Sequence, residues 1–148
     1  MPTASSQQIE HTVAEDLIAL LDGASISNVI REQEDAPTGV ASYVVVKVDN
    51  MRGNLPAGTI PTGFRQVDMN VEVLAHADDD TTGSVFNTLI AAVRTVIWDD
   101  AIIASLNAAS TYNTYYGMMT GDDLPDMDGR WRVMALQFSL VMKPSKVT

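Results

Sequence analysis

Aspartate is the residue type in this chain best placed to do chemistry, and it comes in two clusters. Asp78-Asp79-Asp80 is the densest run of charge. Three adjacent carboxylates could hold a divalent cation, because hard cations seek several oxygen ligands. The same run also suits a solvated strand-to-helix connection, where negative charge near a helix N-terminus is favourable. Asp122, Asp123, Asp126 and Asp128, followed by Gly129, have the composition of a partial calcium loop. Leu124 and Pro125 break the alternate spacing that an EF-hand needs, and no Glu follows in register. An acidic hairpin tip is the competing reading.

Other chemistry is poorly supported. His11 and His76 are the two histidines, and nothing in the sequence brings them together or gives either a catalytic partner. There is no cysteine, which excludes disulfides, thiolate zinc sites and thiol nucleophiles. Serines occur without a Gly-x-Ser-x-Gly elbow, and the glycines form neither a phosphate loop nor a dinucleotide fingerprint. The reading is therefore of a protein that is not an enzyme and carries no cofactor or bound metal.

Positioning elements are clearer than sites. Residues 67–75 alternate: Val67, Met69, Val71, Val73 and Ala75 share one face, and Asp68, Asn70 and Glu72 share the other. Period-two alternation marks a strand with one dry and one wet face. The segment 130–142 repeats the pattern through Met134, Leu136, Phe138, Leu140 and Met142. Residues 40–49 are strongly β-forming, and a short strand is expected within 26–33. A strand is also expected around Tyr112–Met119. Residues 7–22 carry apolar side chains at helical spacing, with Ser5 or Ser6 to cap the start and Gly23 to end it. A second helix follows from Ser84, read as its N-cap, through Val96 and Ile97. Trp98 marks a bend into a short helix at 100–108.

These elements predict one α+β domain over residues 1–148. Its mixed, mostly antiparallel sheet of about four to five strands carries two main helices on one face. Residues 50–63, with Gly53, Pro56, Gly58, Pro61 and Gly63, read as an extended loop or arm. Residues 144–148 read as a loose tail.

With 9 Lys and Arg against 19 Asp and Glu, the formal net charge is −10. Gripping nucleic acid needs clustered Lys and Arg, so that function class is disfavoured. An acidic surface could still line a passage through which nucleic acid slides without sticking. No signal peptide is evident, and the apolar stretches fall short of the roughly 20 residues of a membrane span. Two features suit protein interfaces instead. The 50–63 arm offers Met51, Arg52, Leu55 and Ile60 to a neighbour. Tyr112, Tyr115, Tyr116, Met118, Met119 and Trp131 cluster late in the chain, where core packing is the alternative.

The succession of elements resembles the tail terminator, or tail-completion (minor tail) protein, of long-tailed bacteriophages. The likeness lies in an N-terminal helix from Ile9 to Leu21, a β-region broken by a long loop, and the strand Val67–Ala75. A helix bearing Leu89-Ile-Ala-Ala-Val-Arg and a terminal strand from Trp131 to Leu140 complete it. It covers most of the chain as an order of elements, without a diagnostic motif. Such a resemblance implies a ring, usually a hexamer, that caps the tail tube, ends its polymerisation and joins it to a head-side connector or stopper protein. DNA would pass through its channel without specific binding, and the protein would reside in the virion neck after assembly in the host cytoplasm. On this reading Met51, Arg52, Leu55, Ile60, Tyr112, Tyr115 and Tyr116 are candidates for subunit or tube contacts. Asp78, Asp79, Asp80, Asp122, Asp123, Asp126 and Asp128 are candidates for the lumen or rim. Another phage neck or connector ring protein is the nearest alternative, and a small acidic metal-binding domain is a more distant one.

Overall fold

Strand alternation decides the architecture. In this computed structural model, which describes residues 9–32, 34–52, 65–99, 102–109, 113–122 and 125–143, the alternating segments become the centre of one sheet. The elements are α1 (Ile9–Gly23), β1 (Val29–Arg31), β2 (Ser42–Arg52), β3 (Arg65–His76), α2 (Ser84–Ile97), α3 (Ile102–Ala109), β4 (Asn113–Asp122), β5 (Asp126–Asp128) and β6 (Trp131–Lys143). The sheet runs β1-β2-β3-β6-β4, and β5 pairs with β6 beyond the end of β4. Only β1 is parallel to its neighbour; the other described pairs are antiparallel. The domain is thus an α+β fold with a mixed, mainly antiparallel sheet.

Register follows from the apolar pattern, because a one-residue slip would turn every core side chain outward. Val71 lies between Val46 of β2 and Leu136 of β6, and Met69 between Val48 and Phe138. This inner face packs against Val13, Leu17 and Leu21 of α1, Phe86, Ile90, Val93 and Ile97 of α2, and Leu106 of α3. Val13, Leu17 and Leu21 recur every fourth residue, which is the stripe an α-helix turns to one side. Among the described residues no helix shares the core of the opposite, outer face.

Several boundaries differ from those read in the sequence. Residues 50–52 belong to β2 rather than to an arm: Met51 pairs with Val67 and Arg52 with Gln66. The hairpin keeps its ladder further than the turn-rich composition suggests because β3 already offers a partner at each position. Residues 53–64, with Leu55 and Ile60, lie outside the described residues, as do Tyr112, Asp123 and the tail 144–148. The expected strand near 26–33 contracts to three residues. Gly23 is the last helical residue of α1, and the left-handed turn falls on Ser25, with φ of 66°. The acidic stretch read as one loop after Gly121 contains the end of β4 and the short strand β5.

Candidate functional site

Two surfaces collect the residues singled out above. The first is the junction between β3, the start of α2 and the start of β6. Asp80 was expected at a lumen or rim, but it is 4% exposed. Its carboxylate points inward, accepting hydrogen bonds from the backbone N–H of Val85 (3.1 Å) and of Phe86 (2.9 Å). These are among the N–H groups that the first turn of a helix leaves without partners. Asp80 therefore caps α2 from outside the usual cap position. That position is held by Gly83, with φ of 78°, which makes no side-chain cap, and Ser84 is already helical. A left-handed φ there favours glycine, since a Cβ would be strained.

Electrostatics at Asp80 agree with the geometry. Burial alone would raise its carboxyl pKa. The N–H groups of Phe86 and Val85, with the Arg132 guanidinium, outweigh burial and hold it below the ordinary carboxylate value. Arg132 also donates to the backbone carbonyls of Asp80 (3.2 and 3.3 Å) and Thr81 (3.4 Å). Two residues earlier, Arg130 donates to the Asp78 carboxylate at 2.9 Å, an exposed pair. Arg130 and Arg132 thus bind the loop that starts at Asp78. Sequence reading missed both arginines, and the matched i, i+2 spacing of Asp78/Asp80 and Arg130/Arg132 is the signal that could have found them.

His76 closes β3 beside this loop. Its Nδ1 accepts the Asp78 N–H (3.3 Å) and lies 3.7 Å from an Asp79 carboxylate oxygen. Its ring meets Trp131 edge-on, with centroids 4.9 Å apart, and Tyr43 also meets Trp131 edge-on at 5.2 Å. Trp131 therefore packs with its neighbours within the chain. The His11 side chain lies outside what the structure describes, and no group of three His, Cys, Asp or Glu among the described residues is arranged to hold a metal ion.

The second surface is the outer face of the sheet. Here Gln66, Asp68, Asn70 and Glu72 of β3 lie beside Gln137 and Ser139 of β6. Asp68 Oδ1 accepts from Ser139 Oγ (2.6 Å) and from Gln66 Nε2 (3.0 Å). Lys47 of β2 is ion-paired with Glu72. Burial would lower the Lys47 pKa, but the Glu72 carboxylate more than offsets this and raises it. The Tyr43 hydroxyl is pushed up by burial, and then by Glu72 and Asp128. Asp126 and Asp128 of β5 stand opposite Val133 and Trp131, both aspartates exposed. Asp122 ends β4, whose backbone also carries Tyr115 and Tyr116.

Two grooves run along this face. One, of about 320 Å³, is lined by Asp49, Gln66, Asp68, Gln137 and Ser139. The bulge between Val48 and Asn50 in β2 places Asp49 there as an extra residue. The other, of about 420 Å³, is lined by Asn70, Glu72, Asp126, Asp128 and Ala135 with the neighbouring β5 and β6 residues. A more apolar recess of about 430 Å³ lies between the loop after α1 and the outward side of α2, beside Ile26, Val85 and Leu89. In the first groove the Ser139 hydroxyl donates to the Asp68 carboxylate, and no histidine is among the residues that line any of the three.

No protein-family model matches the chain, and no curated protein matches it in sequence. No described helix is long and apolar enough to cross a membrane.

Proposed function

We propose that this chain is a structural virion protein, a tail terminator that closes into a ring on the end of a phage tail tube. The observation that carries the reading is a sheet built on one side only. Three helices cover its inner face, while no described helix packs on the outer face, where the polar residues Gln66, Asp68, Asn70, Glu72, Gln137 and Ser139 adjoin an apolar patch of Tyr43, Leu74, Val133 and Ala135. A one-sided sheet leaves a broad surface for neighbours, and a closed ring formed by one repeated contact is an economical use of it. The order of helix, three strands, helices and closing strands agrees with the resemblance drawn from sequence. The negative charge is compatible with a channel that lets DNA slide, since it repels phosphate. Tube and head-side connector are the protein partners this reading implies.

Light scattering at two protein concentrations, with and without calcium, tests the proposal. A hexamer, or a monomer that moves toward one as concentration rises, supports it. A strict monomer whose thermal stability rises only with calcium overturns it in favour of an acidic metal-binding domain, because a ligand stabilises the state that binds it.

A further inference from the structure

The helical layer carries a second inference. Among the described residues three large apolar side chains are exposed, and two of them belong to α2. Val85, 43% exposed, lies in its first turn, and Trp98, 50% exposed, is its C-cap. They stand at opposite ends of the helix, about 20 Å apart. A lone apolar side chain on a surface is ordinary. Here each end of the helix has a shape and a charge that suit the other.

At the first end Val85 borders the recess of about 430 Å³ between α2 and the loop after α1. Ile26, Thr88, Leu89 and Ala92 also line it, and none of its lining residues is charged. The loop wall is set in advance. Ser25 is held at φ of 66°, and the buried Ile26 donates its backbone N–H to the Leu21 carbonyl at 3.1 Å. A preformed recess lowers the ordering cost of binding. At the second end the Arg94 guanidinium lies 5.0 Å from the Trp98 ring centroid, and the Trp98 backbone N–H donates to the Arg94 carbonyl at 2.8 Å. The indole is thus positioned while still half exposed, and Trp is prominent among the side chains that anchor interfaces.

Copies of a chain with formal net charge −10 repel one another unless they meet where charge is absent or opposed. The uncharged recess satisfies the first condition. The second follows from its place between two helix ends. The C-terminal end of α1 is negative, carries exposed Asp22 and has no basic residue in its last turn. The N-terminal end of α2 is positive and has no acid in its first turn. Trp98 is flanked by Arg94 and by exposed Asp99. An indole entering the recess of another copy therefore brings a cation for the negative end and a carboxylate for the positive one.

We infer that α2 is a joint between copies of this chain, in which Trp98 of one copy inserts into the recess beside Val85 of the next. Every copy then both gives an indole and receives one. Such a contact is heterologous, and it closes into a ring when the rotation per copy allows. The inference rests on the ring reading and deepens it: the outer face of the sheet offers breadth, and the ends of α2 supply an anchor in the helical layer.

The test uses the full chain in light scattering over a range of concentrations. Trp98→Ser removes the indole, and Thr88→Arg fills the recess. Both positions are exposed, so melts of the dilute proteins should match the wild type. Each variant alone should associate at least about thirty-fold more weakly than the wild type. Asn87→Arg makes the same charge change on an exposed residue outside the recess and should associate normally. The decisive sample is a mixture of Trp98→Ser with Thr88→Arg. One keeps an open recess and the other an indole, so together they should form a one-to-one dimer and nothing larger. The contact is overturned, with the ring reading left standing, if the wild type forms rings and both variants do so equally. A mixture that stays monomeric also overturns it, as does an Asn87→Arg variant as weak as Thr88→Arg. A wild type that is monomeric at every concentration overturns it too, and the calcium melts above then decide the ring reading.

Discussion

The two faces of the sheet are made by the same strands, yet they obey different rules. On the inner face Val71, Leu136 and Leu140 are 0–1% exposed and meet helices. Their identities are fixed by volume and shape, as in any close-packed interior. On the outer face Gln66, Asp68, Asn70 and Glu72 hold polar groups at the same pleat spacing, and hydrogen bonds rather than packing set their arrangement. The inner face is closed by helices, whereas the outer one holds two buried amide oxygens, of Gln66 and Asn70, without a hydrogen-bond partner among the described residues. A strand can therefore specify a fold with one set of alternate residues and a surface with the other.

Substitutions can break that contrast, and the largest effect belongs to the inner face. Leu136→Ala should cost about 2–5 kcal/mol in chemical denaturation, through lost burial and the cavity left behind. Next is Asp80→Ala, which frees two helix N–H groups and should lower the melting midpoint by several degrees. Asp80 also gives a pH signature. Its carboxyl is held below the ordinary value in the folded chain, so its contribution is present above the unfolded pKa of about 4. That contribution fades as pH falls through the lower, folded pKa. The stability gap between wild type and Asp80→Asn should accordingly narrow in acid melts below about pH 4. A gap that stays constant to pH 2 would remove the charged cap from the account.

Smaller effects sharpen the comparison. Arg130→Ala breaks an exposed ion pair with Asp78 and should change stability by about 0–1 kcal/mol, less at high salt. Gln137→Ala, on the outer face beside Leu136, should fall within about 0.5 kcal/mol in the same denaturation series. A cost for Gln137→Ala equal to that of Leu136→Ala would mean that both faces are packed alike.

How legible this was in sequence depended on range. Val67–Ala75 and Met134–Met142 announced their strands, because alternation is local and the buried face imposes it throughout. The helix from Ser84 was equally plain in Phe86, Ile90, Val93 and Ile97. Its true cap was not, since Asp80 reaches forward across a turn that closes only when Gly83 takes a left-handed φ. The strand β5 was hidden because Asp-Met-Asp has no strand-forming composition, and it pairs only where β6 outruns β4. The orphan oxygens of Gln66 and Asn70 could not be read at all. Satisfaction of a polar atom is a property of the neighbours that folding brings, not of the residue.

The order β1-β2-β3-β6-β4 has a kinetic consequence. The long strand β3 finds one neighbour, β2, nearby in sequence, but its other neighbour, β6, is the last of the described strands. The β2–β3 hairpin can form early, whereas docking of β6 must close a long intervening segment and is correspondingly slow. Until β6 arrives, β3 presents a twelve-residue edge with its ladder groups open. A nascent chain halted before Trp131 would carry that edge unprotected. Premature association in the cell should then be governed by how promptly the thirteen-residue strand β6 is delivered.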